Sequence, residues 1–281
     1  LISLLTFLAL EILEVCIFLG FHWYRRTQVR VQEELTGLVE ARTAELREAN
    51  RALEEASMVD ILTGLKNRRF LDVTLPTEIA RVLRVHRARQ QPPMNPSGVG
   101  DDIVIMVIDL DHFKLVNDTY GHAAGDAVLQ EVGAMLREHC RESDLVARWG
   151  GEEFLIAAMR THRAYAPVIA GKLLEMFRQH VFTLPGGETI QKTCSIGYCP
   201  FPVVPEHTRA VAWERAVGLA DLCLYAAKRN GRDAWVGVAI TAEDDQAVLA
   251  ANLPGGFLDL VQDGTLQVQS SFTDGRRLQW S

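Results

Sequence analysis

The first 24 residues of the chain are almost entirely apolar, and a mixed polar pattern begins after them. At about 1.5 Å per residue, a helix of this length crosses a hydrocarbon core of roughly 30 Å. The aromatic and basic edge at residues 22–26 is typical of a cytoplasmic membrane interface. Glu11 and Glu14 count against a membrane span, because each costs about 3 kcal/mol at mid-membrane. The pattern predicts a transmembrane helix at 1–24, and the alternative is an apolar helix buried in a protein interface.

Residues 25–57 carry a heptad pattern instead of an apolar run. Residues 27–57 are rich in Glu, Arg, Ala and Leu, with one glycine and no proline. The apolar seam consists of Leu35, Val39, Leu46, Ala49, Leu53 and Ala56, with Arg42 as the one misfit. A seam this narrow predicts a signalling helix that forms a short parallel coiled coil in a homodimer. The alternative is a single amphipathic helix packed on its own domain.

The apolar segments between residues 58 and 238 predict one folded domain. Residues 88–102 contain three prolines and two glycines without apolar periodicity, which predicts a loop. The predicted elements are a buried strand at 103–108, a helix at 123–140, a β-hairpin around Gly150 and Gly151, a further helix, a strand at 192–201, a helix at 209–229 ended by Gly231, and a strand at 234–240. This order predicts an α+β fold, an α/β sandwich in which helices cover a central sheet.

Residues 239–281 are predicted as a C-terminal extension, to which the sequence assigns no role. Within it, residues 258–269 have the pattern of a hairpin that turns at Asp263 and Gly264. The chain begins with Leu1 rather than methionine, so we expect it to be a piece of a longer protein.

The composition limits which classes of function this protein can have. The formal net charge of −7 argues against a general nucleic-acid binder, which would be basic, but does not exclude an anionic small substrate held by a metal. The five cysteines form no C-x-x-C pair, which favours small buried residues in a reducing compartment. A length of 281 residues is enough for one sizeable domain with attachments.

Three carboxylates carry the first chemical prediction. Asp109 ends the buried strand, and Glu152 and Glu153 begin the second arm of the hairpin. If the hairpin pairs beside that strand, the carboxylates meet at one edge of the sheet, and hard oxygen ligands of this kind hold Mg²⁺ with substrate phosphates completing the shell. Gly150 and Gly151 keep the turn free of side chains, so a phosphate can approach the backbone. The alternative is a solvated acidic turn.

The polar stretch 109–126 makes the chemical interpretation stronger. Asp109 to Lys114 leave the strand through a turn, which points successive N–H groups outward as an anion-binding nest. Asn117 offers a donor and an acceptor, and Asp126 accepts from N–H groups, as the edge of guanine requires. A phosphate cradle, metal carboxylates and a base-reading pair together favour a purine nucleoside triphosphate.

With these segments together, the sequence resembles the GGDEF family of diguanylate cyclases over about residues 58–238. The matching motifs, in order, are DILTGLKNRRF (60–70), DLDHFKLVNDTYGHAAGD (109–126), RESDLVARWGGEEF (141–154), CSIGY (194–198) and ADLCLYAAKRNGRD (220–233). Gly-Gly-Glu-Glu-Phe is an accepted variant of the family signature. The resemblance implies a nucleotidyl-cyclase-like fold with a mainly antiparallel central sheet, preceded here by the long helix.

The resemblance also implies roles for individual residues. Mg²⁺, with Mn²⁺ as an alternative, would be held by Asp109, the Leu110 carbonyl, Glu152 and Glu153, and the two glutamates are also the candidate catalytic carboxylates. Guanine would be recognised by Asn117 and Asp126, with His122 nearby. The triphosphate would be held by the Phe113 and Lys114 amides, the Gly150–Gly151 turn, and the side chains of Lys228 and Arg232. For the last two, a structural role at a helix C-terminus is the alternative. Some relatives that make mixed purine products carry serine at the position of Asp126. Because this chain has aspartate there, we expect it to recognise guanine and to make a symmetric product.

The implied activity is the condensation of two GTP molecules into cyclic di-GMP and two pyrophosphates by a homodimer. We expect the enzyme in the inner (cytoplasmic) membrane with its catalytic domain in the cytoplasm. Arg141 and Asp144 match the family's R-x-x-D inhibitory site, which binds the product; an isolated pair of this kind is otherwise a surface ion pair. Family members usually use a second basic residue at that site. The candidates here are Arg160, Arg163, Lys172 and Arg178. The alternatives are an inactive receptor for cyclic di-GMP and a structural dimerisation module.

Overall fold

The computed structural model describes residues 18–26, 28, 32, 35–49, 53, 58–89, 102–204, 212–239, 268–272 and 278–280. The chain divides into two units, residues 1–57 and 58–281. In the first unit, residues 18–26 and 35–49 are helical. The seam residues Leu35 and Leu46 are 60% and 70% exposed, so among the described residues this apolar face is largely uncovered.

A membrane span is not found among the described residues, where no helix is both long and apolar enough to cross a bilayer. Most of the predicted transmembrane helix, residues 1–17, lies outside the described ranges.

The second unit is built on a seven-stranded mixed sheet. Its strands are β1 (Lys66–Asn67), β2 (Asp102–Leu110), β3 (Leu145–Gly150), β4 (Glu153–Thr161), β7 (Cys194–Phe201), β8 (Trp235–Val238) and β9 (Val268–Ser270), in the spatial order β1-β3-β4-β2-β7-β8-β9. Neighbouring strands are antiparallel except in the pairs β1–β3 and β7–β8. β5 (Val181–Thr183) and β6 (Thr189–Gln191) form a separate hairpin.

Helices cover both faces of the sheet. They are α1 (Arg68–Arg89), α2 (Phe113–Tyr120), α3 (His122–His139), α4 (Ala166–Gln179) and α5 (Trp213–Arg229). Buried residues of α1 and α5 form one apolar cluster with alternate residues of β2, and those of α2, α3 and α4 form a second cluster with the other β2 residues. All nine residues of β2 are buried, because the strand lies at the centre of this two-sided core.

The close packing of α5 on the sheet depends on a glycine inside β7. A Cβ atom at Gly197 would overlap the backbone of Ala220 and Leu224 in α5. Only glycine therefore allows α5 to approach the strand this closely, which sets the position of the helix that carries Lys228.

A buried ion-pair cluster lies at the start of β2. Asp102 Oδ1 lies 2.9 Å from His86 Nε2, and Asp102 Oδ2 lies 2.9 Å from Arg163 Nε. Burial alone would raise the pKa of Asp102, but its contacts with His86 and Arg163 outweigh this effect and hold the pKa below its ordinary value of 3.8. The cluster ties α1 to the sheet at the opposite end of the strand from Asp109.

The α+β sandwich with a mainly antiparallel sheet is confirmed, while several elements differ from the sequence predictions. Two helices, α1 and α2, and the β5–β6 hairpin were not predicted. The predicted helix 209–229 begins at Trp213, and residues 205–211 lie outside the described ranges. The predicted hairpin at 258–269 also lies outside them, except for its last two residues, which belong to β9.

Candidate nucleotide-binding and active site

The predicted carboxylates lie together where the neighbouring strands β2 and β4 meet at one end of the sheet. β2 and β4 are antiparallel, and their register places Asp109 directly opposite Glu153. The two strand ends therefore bring Asp109, Glu152 and Glu153 into one electrostatic cluster, in which burial and, to a smaller extent, the charges of both glutamates raise the pKa of Asp109.

Lys228 closes this cluster from the α5 side. Its Nζ lies 2.7 Å from Asp109 Oδ2, and the Asp109 side chain is only 8% exposed. Burial is the main reason that the pKa of Asp109 rises to about 6, and the ammonium of Lys228 offsets only part of that effect. Burial also raises the pKa of Glu153, with a smaller opposing contribution from Lys228. A cation of higher charge beside these oxygens would remove the cost of ionising them.

The Gly150–Gly151 turn between β3 and β4 is open to solvent. A Cβ at either glycine would meet no atom within 4 Å, and Gly151 has a φ of +52°, which favours glycine. The turn therefore leaves space for a ligand next to the backbone, as the sequence predicted.

Arg148 holds this turn, a role that the sequence did not predict. Its Nε and Nη2 donate to the Gly151 carbonyl at 2.9 and 2.8 Å, and its Nη1 lies 3.2 Å from Asp60 Oδ2. Asp60 in turn accepts from the amide and hydroxyl of Thr63. One guanidinium thus connects the start of the second unit to the glycine turn. The signal was a lone arginine in an otherwise apolar strand.

The predicted phosphate nest is the N-terminus of α2. His112 precedes the helix in the left-handed conformation, with a φ of 56°. The N–H groups of Phe113 and Lys114 follow in the first helical turn, where amides have no acceptor within the helix and favour anions. The helix that creates this arrangement replaces the simple turn that the sequence predicted.

Asp111 fixes the approach to this nest and was also missed. Its side chain is 2% exposed, and it accepts from the Thr193 and Ser195 hydroxyls at 2.7 Å each and from the Asp233 amide at 3.0 Å. A buried carboxylate that accepts three hydrogen bonds is a strong anchor, because both of its oxygens have donors and charge-assisted hydrogen bonds are the stronger kind. Asp111 therefore joins the loop after β2 to the turn after α5.

The predicted base-reading pair lies where α2 and α3 meet. The Asn117 side chain packs so closely on Gly125 that a Cβ at residue 125 would overlap Asn117 Oδ1. Asp126 follows Gly125 directly and is exposed, as is His122 at the start of α3. The half-buried Asn117 therefore packs directly beside the backbone that carries the exposed Asp126.

Arg232 lies in a left-handed turn just after α5. Arg232 and Asp233 have φ values of 63° and 46°, and the Arg232 amide donates to the Ala227 carbonyl at 3.0 Å. The Arg232 side chain is exposed. Lys228 faces Asp109 from the last turn of the same helix, so α5 and the turn that follows it carry both predicted phosphate-binding cations.

The predicted inhibitory site lies on another face of the domain. Arg141 and Asp144 line one cavity together with Lys172 from α4. Asp144 accepts from the Arg141 and Met159 amides at 3.0 Å each, so its carboxylate is not held by the Arg141 guanidinium in a surface ion pair. Of the other candidates for a second cation, Arg163 binds Asp102 and Arg178 binds Asp233.

The oxygen donors near Asp109 fit a divalent metal that shares its ligands with a substrate. Within the described residues, no group of three or more His, Cys, Asp or Glu side chains forms a metal site by itself. Mg²⁺ prefers this situation, because it takes one or two carboxylates from the protein and completes its octahedron with phosphates and water. The buried carboxylate of Asp109, whose charge is balanced by the ammonium of Lys228, can serve as one of these protein ligands.

Proteins of similar sequence and fold include diguanylate cyclases and GGDEF-domain structures. The chain is 34% identical to the diguanylate cyclase DgcP of Pseudomonas aeruginosa over 224 residues, which are 75% of this chain and 30% of that protein. It is 33% identical to the solved structure of a sensory box/GGDEF family protein from Caulobacter crescentus, with a TM-score of 0.51, covering 62% of this chain and all of that one. It is 26% identical to the coiled coil and GGDEF domain of DgcB from Caulobacter crescentus in complex with c-di-GMP, with a TM-score of 0.52, covering 71% and 96%.

The chain spans about a third of the length of the first curated relatives that it matches, DgcP and the Escherichia coli diguanylate cyclase DosC. The profile of the family described as "Diguanylate cyclase, GGDEF domain" matches residues 57–234, which include the carboxylate cluster, the glycine turn, the α2 N-terminus and α5. The chain belongs to the GGDEF-domain family of diguanylate cyclases.

Proposed function

We propose that this protein is a diguanylate cyclase, which condenses two GTP molecules into cyclic di-GMP and releases two pyrophosphates. The observation that carries the proposal is the pairing of Asp109 with Glu153 beside the open glycine turn, with Lys228 2.7 Å from Asp109. This end of the sheet combines acids that can hold a metal with two groups that can bind phosphates, the Lys228 ammonium and the N-terminus of α2.

Each GTP would react with a second GTP held by a facing domain. Its ribose 3′-hydroxyl would attack the α-phosphorus of the other nucleotide, form a new phosphodiester bond and displace pyrophosphate. Asp109, the Leu110 carbonyl, Glu152 and Glu153 would hold Mg²⁺, or Mn²⁺ in its place. Bound Mg²⁺ supplies a Lewis acid that stabilises charge on the transferring phosphoryl group.

Side chains and backbone amides of the protein would transfer the proton and bind the phosphates. Glu152 or Glu153 would accept the proton of the attacking hydroxyl as a general base. Lys228 and Arg232 would offset the charge that grows on the leaving pyrophosphate. The Phe113 and Lys114 amides would hold phosphate oxygens at the α2 N-terminus.

Guanine would be recognised by Asn117 and Asp126. The Asp126 carboxylate accepts from the N1–H and N2–H₂ donors of guanine, while adenine presents an acceptor at N1. His122, which is exposed at the start of α3, would lie at the rim of this pocket.

The two domains would be brought together by the N-terminal helix. The exposed seam residues Leu35, Val39 and Leu46 support a parallel coiled coil, because each leaves more than half of its side chain uncovered in the single chain. We place this homodimer at the inner (cytoplasmic) membrane through residues 1–24, with the catalytic domain in the cytoplasm.

Product inhibition would act at Arg141 and Asp144. The shared cavity with Lys172 favours Lys172 as the second cation for cyclic di-GMP phosphates. The same cavity supports the second candidate function, an inactive receptor that binds cyclic di-GMP without making it.

Incubation of the purified protein with GTP and MgCl₂, followed by chromatographic analysis of the nucleotides, tests the proposal. We expect cyclic di-GMP and pyrophosphate in a 1:2 ratio, and no product from Glu152→Gln. Glu188→Gln is the matched control, because Glu188 is an exposed acid of the turn between β5 and β6 and should leave turnover unchanged. Binding of cyclic di-GMP without any turnover of GTP would favour the receptor instead.

A further inference from the structure

The folded domain continues beyond the segment that the family profile matches. That match ends at residue 234, yet β9 pairs with β8 in the register Val236–Ser270, Gly237–Gln269 and Val238–Val268. β9 therefore extends the sheet. Residues 268–272 and 278–280 are here called the C-terminal strap. Trp280 is 9% exposed and belongs to the apolar cluster under α5, which fixes the end of the strap against the core.

The strap holds one side chain at two points. Asn230 Nδ2 donates to the Gln279 carbonyl at 3.0 Å, and the Gln279 amide donates to Asn230 Oδ1 at 3.1 Å. Asn230 Nδ2 also donates to the Ala226 carbonyl at 2.8 Å, one turn back in α5. Asn230 is 7% exposed, so these hydrogen bonds are shielded from water and define a single orientation of its side chain.

Asn230 occupies the junction between the two phosphate-binding cations. It is the residue that caps α5, two positions after Lys228 and two positions before Arg232. Beyond it the chain turns through the left-handed Arg232 and Asp233, a conformation that is unfavourable for residues with a Cβ and persists only where neighbours enforce it.

Anchors on both sides of Arg232 enforce that conformation. On one side is Asn230 with the strap. On the other, the Asp233 amide donates to Asp111, and Asp233 Oδ1 accepts from Arg178 Nε at 2.8 Å. Arg232 itself is exposed between them, so the direction of its guanidinium depends on these flanking contacts.

We propose that Asn230 is a positioning residue for the triphosphate. Its hydrogen bonds to the C-terminal strap fix the end of α5, and this orients Lys228 and Arg232 toward the phosphates of the bound nucleotide. The inference rests on the proposed function, which places a triphosphate beside these two cations. A merely structural strap would stabilise the domain without distinguishing ligands by their phosphates, whereas a positioning residue affects only ligands that reach Lys228 and Arg232.

The test measures by calorimetry how two ligands bind to the 281-residue protein in the presence of MgCl₂. The first is the α,β-methylene analogue of GTP, whose α–β bridge cannot be displaced, and the second is GMP. We expect Asn230→Ala to weaken binding of the triphosphate analogue about fivefold, as for a misaligned charge-assisted contact, and to change binding of GMP less than about twofold. The control is Gln269→Ala, which removes a strap contact to Tyr198 without touching Asn230 and should change neither affinity.

Gln279→Pro is the second variant, because it removes the N–H donor to Asn230 Oδ1 and leaves every residue of α5 in place. It should reproduce the selective loss and decides the question if Asn230→Ala does not fold. Equal losses for both ligands, or an unchanged affinity for the triphosphate analogue, would overturn the positioning role. If the variants lose affinity for the triphosphate analogue alone but the wild-type protein yields no cyclic di-GMP from GTP, only the proposed activity is overturned. If the wild-type protein does not bind the analogue, the proposed activity and the positioning role are both overturned.

Discussion

Replacement of Asp109 by asparagine should abolish product formation and at the same time stabilise the metal-free domain. The Asp109 carboxylate is buried, and its pKa of about 6 lies about two pH units above the ordinary value of 3.8. That difference corresponds to at most about 3 kcal/mol of unfavourable free energy for keeping the group ionised in the folded state at pH 7. Solvent at the open side of the pocket screens part of this cost, and Lys228 loses its partner in the variant. We therefore expect a gain of about 1–2 kcal/mol.

The sign of the effect follows from proton binding. Because the folded-state pKa is raised, the folded protein binds more protons than the unfolded chain between about pH 4 and pH 6, so ionisation of Asp109 destabilises the fold as the pH rises through this range. The gain from Asp109→Asn should thus be largest at pH 7 and shrink to about a third of that value at pH 4.5.

Urea unfolding in EDTA at pH 7 and pH 4.5, followed by circular dichroism, measures this difference. Asp118→Asn is the matched control, because Asp118 is an exposed acid of α2 and its replacement should change stability by less than about 0.5 kcal/mol. A variant that is less stable than the wild type at pH 7, or a gain of equal size at both pH values, would refute the argument that burial of the charge is costly. Substantial turnover of GTP by the folded variant would refute the metal-binding role.

Four further predictions concern other parts of the molecule. Asp126→Ser should weaken the preference for GTP and admit ATP, because a hydroxyl can donate as well as accept; competition between equal GTP and ATP measures this, and unchanged selectivity would contradict it. Removal of residues 1–57 should make specific activity rise with protein concentration, and equal activity per molecule at nanomolar and micromolar concentrations would count against dimerisation through the seam. Arg141→Ala should abolish inhibition by added cyclic di-GMP while leaving the initial rate nearly unchanged; identical inhibition curves for the two proteins would exclude Arg141 from the site. Asp102→Asn should cost about 3 kcal/mol at pH 7, because it removes the buried carboxylate that faces His86 and Arg163. The cost should begin to shrink as the pH falls past about 3.8 and vanish below the lower folded-state pKa of Asp102; a cost that stays the same in urea unfolding at pH 7 and pH 3 would contradict it.

The parts of the fold that could be predicted from the sequence are those with strong local patterns. The uninterrupted apolar run of β2 and the two apolar runs around Gly150–Gly151 each specify a strand, and their neighbouring ends explain why Asp109 and the hairpin acids meet. α1 was missed because it is rich in arginine and contains Pro76, although Leu71, Leu75, Ile79 and Val82 recur at helical spacing and are all buried. A search for that spacing would have found it.

The contacts that hold the site in place connect residues far apart in the chain, and no local pattern reports them. Arg148 meets Asp60 across 88 positions, and Asn230 meets Gln279 across 49. Asp111 was visible as one acid among several in a polar stretch, but its partners lie in β7 and after α5. The chemistry of the candidate site could therefore be predicted from residue types, while its supporting hydrogen bonds follow only from the tertiary packing.

The pairing of β9 with β8 also bears on how this protein behaves when it is shortened. A chain ended near residue 239 would present the free edge of β8, where Val236 and Val238 are buried in the intact domain, as an unpaired row of backbone donors and acceptors. Such an edge recruits strands from other molecules and drives self-association that has nothing to do with the N-terminal seam. In light scattering, such self-association of shortened chains would look like dimerisation through the N-terminal seam.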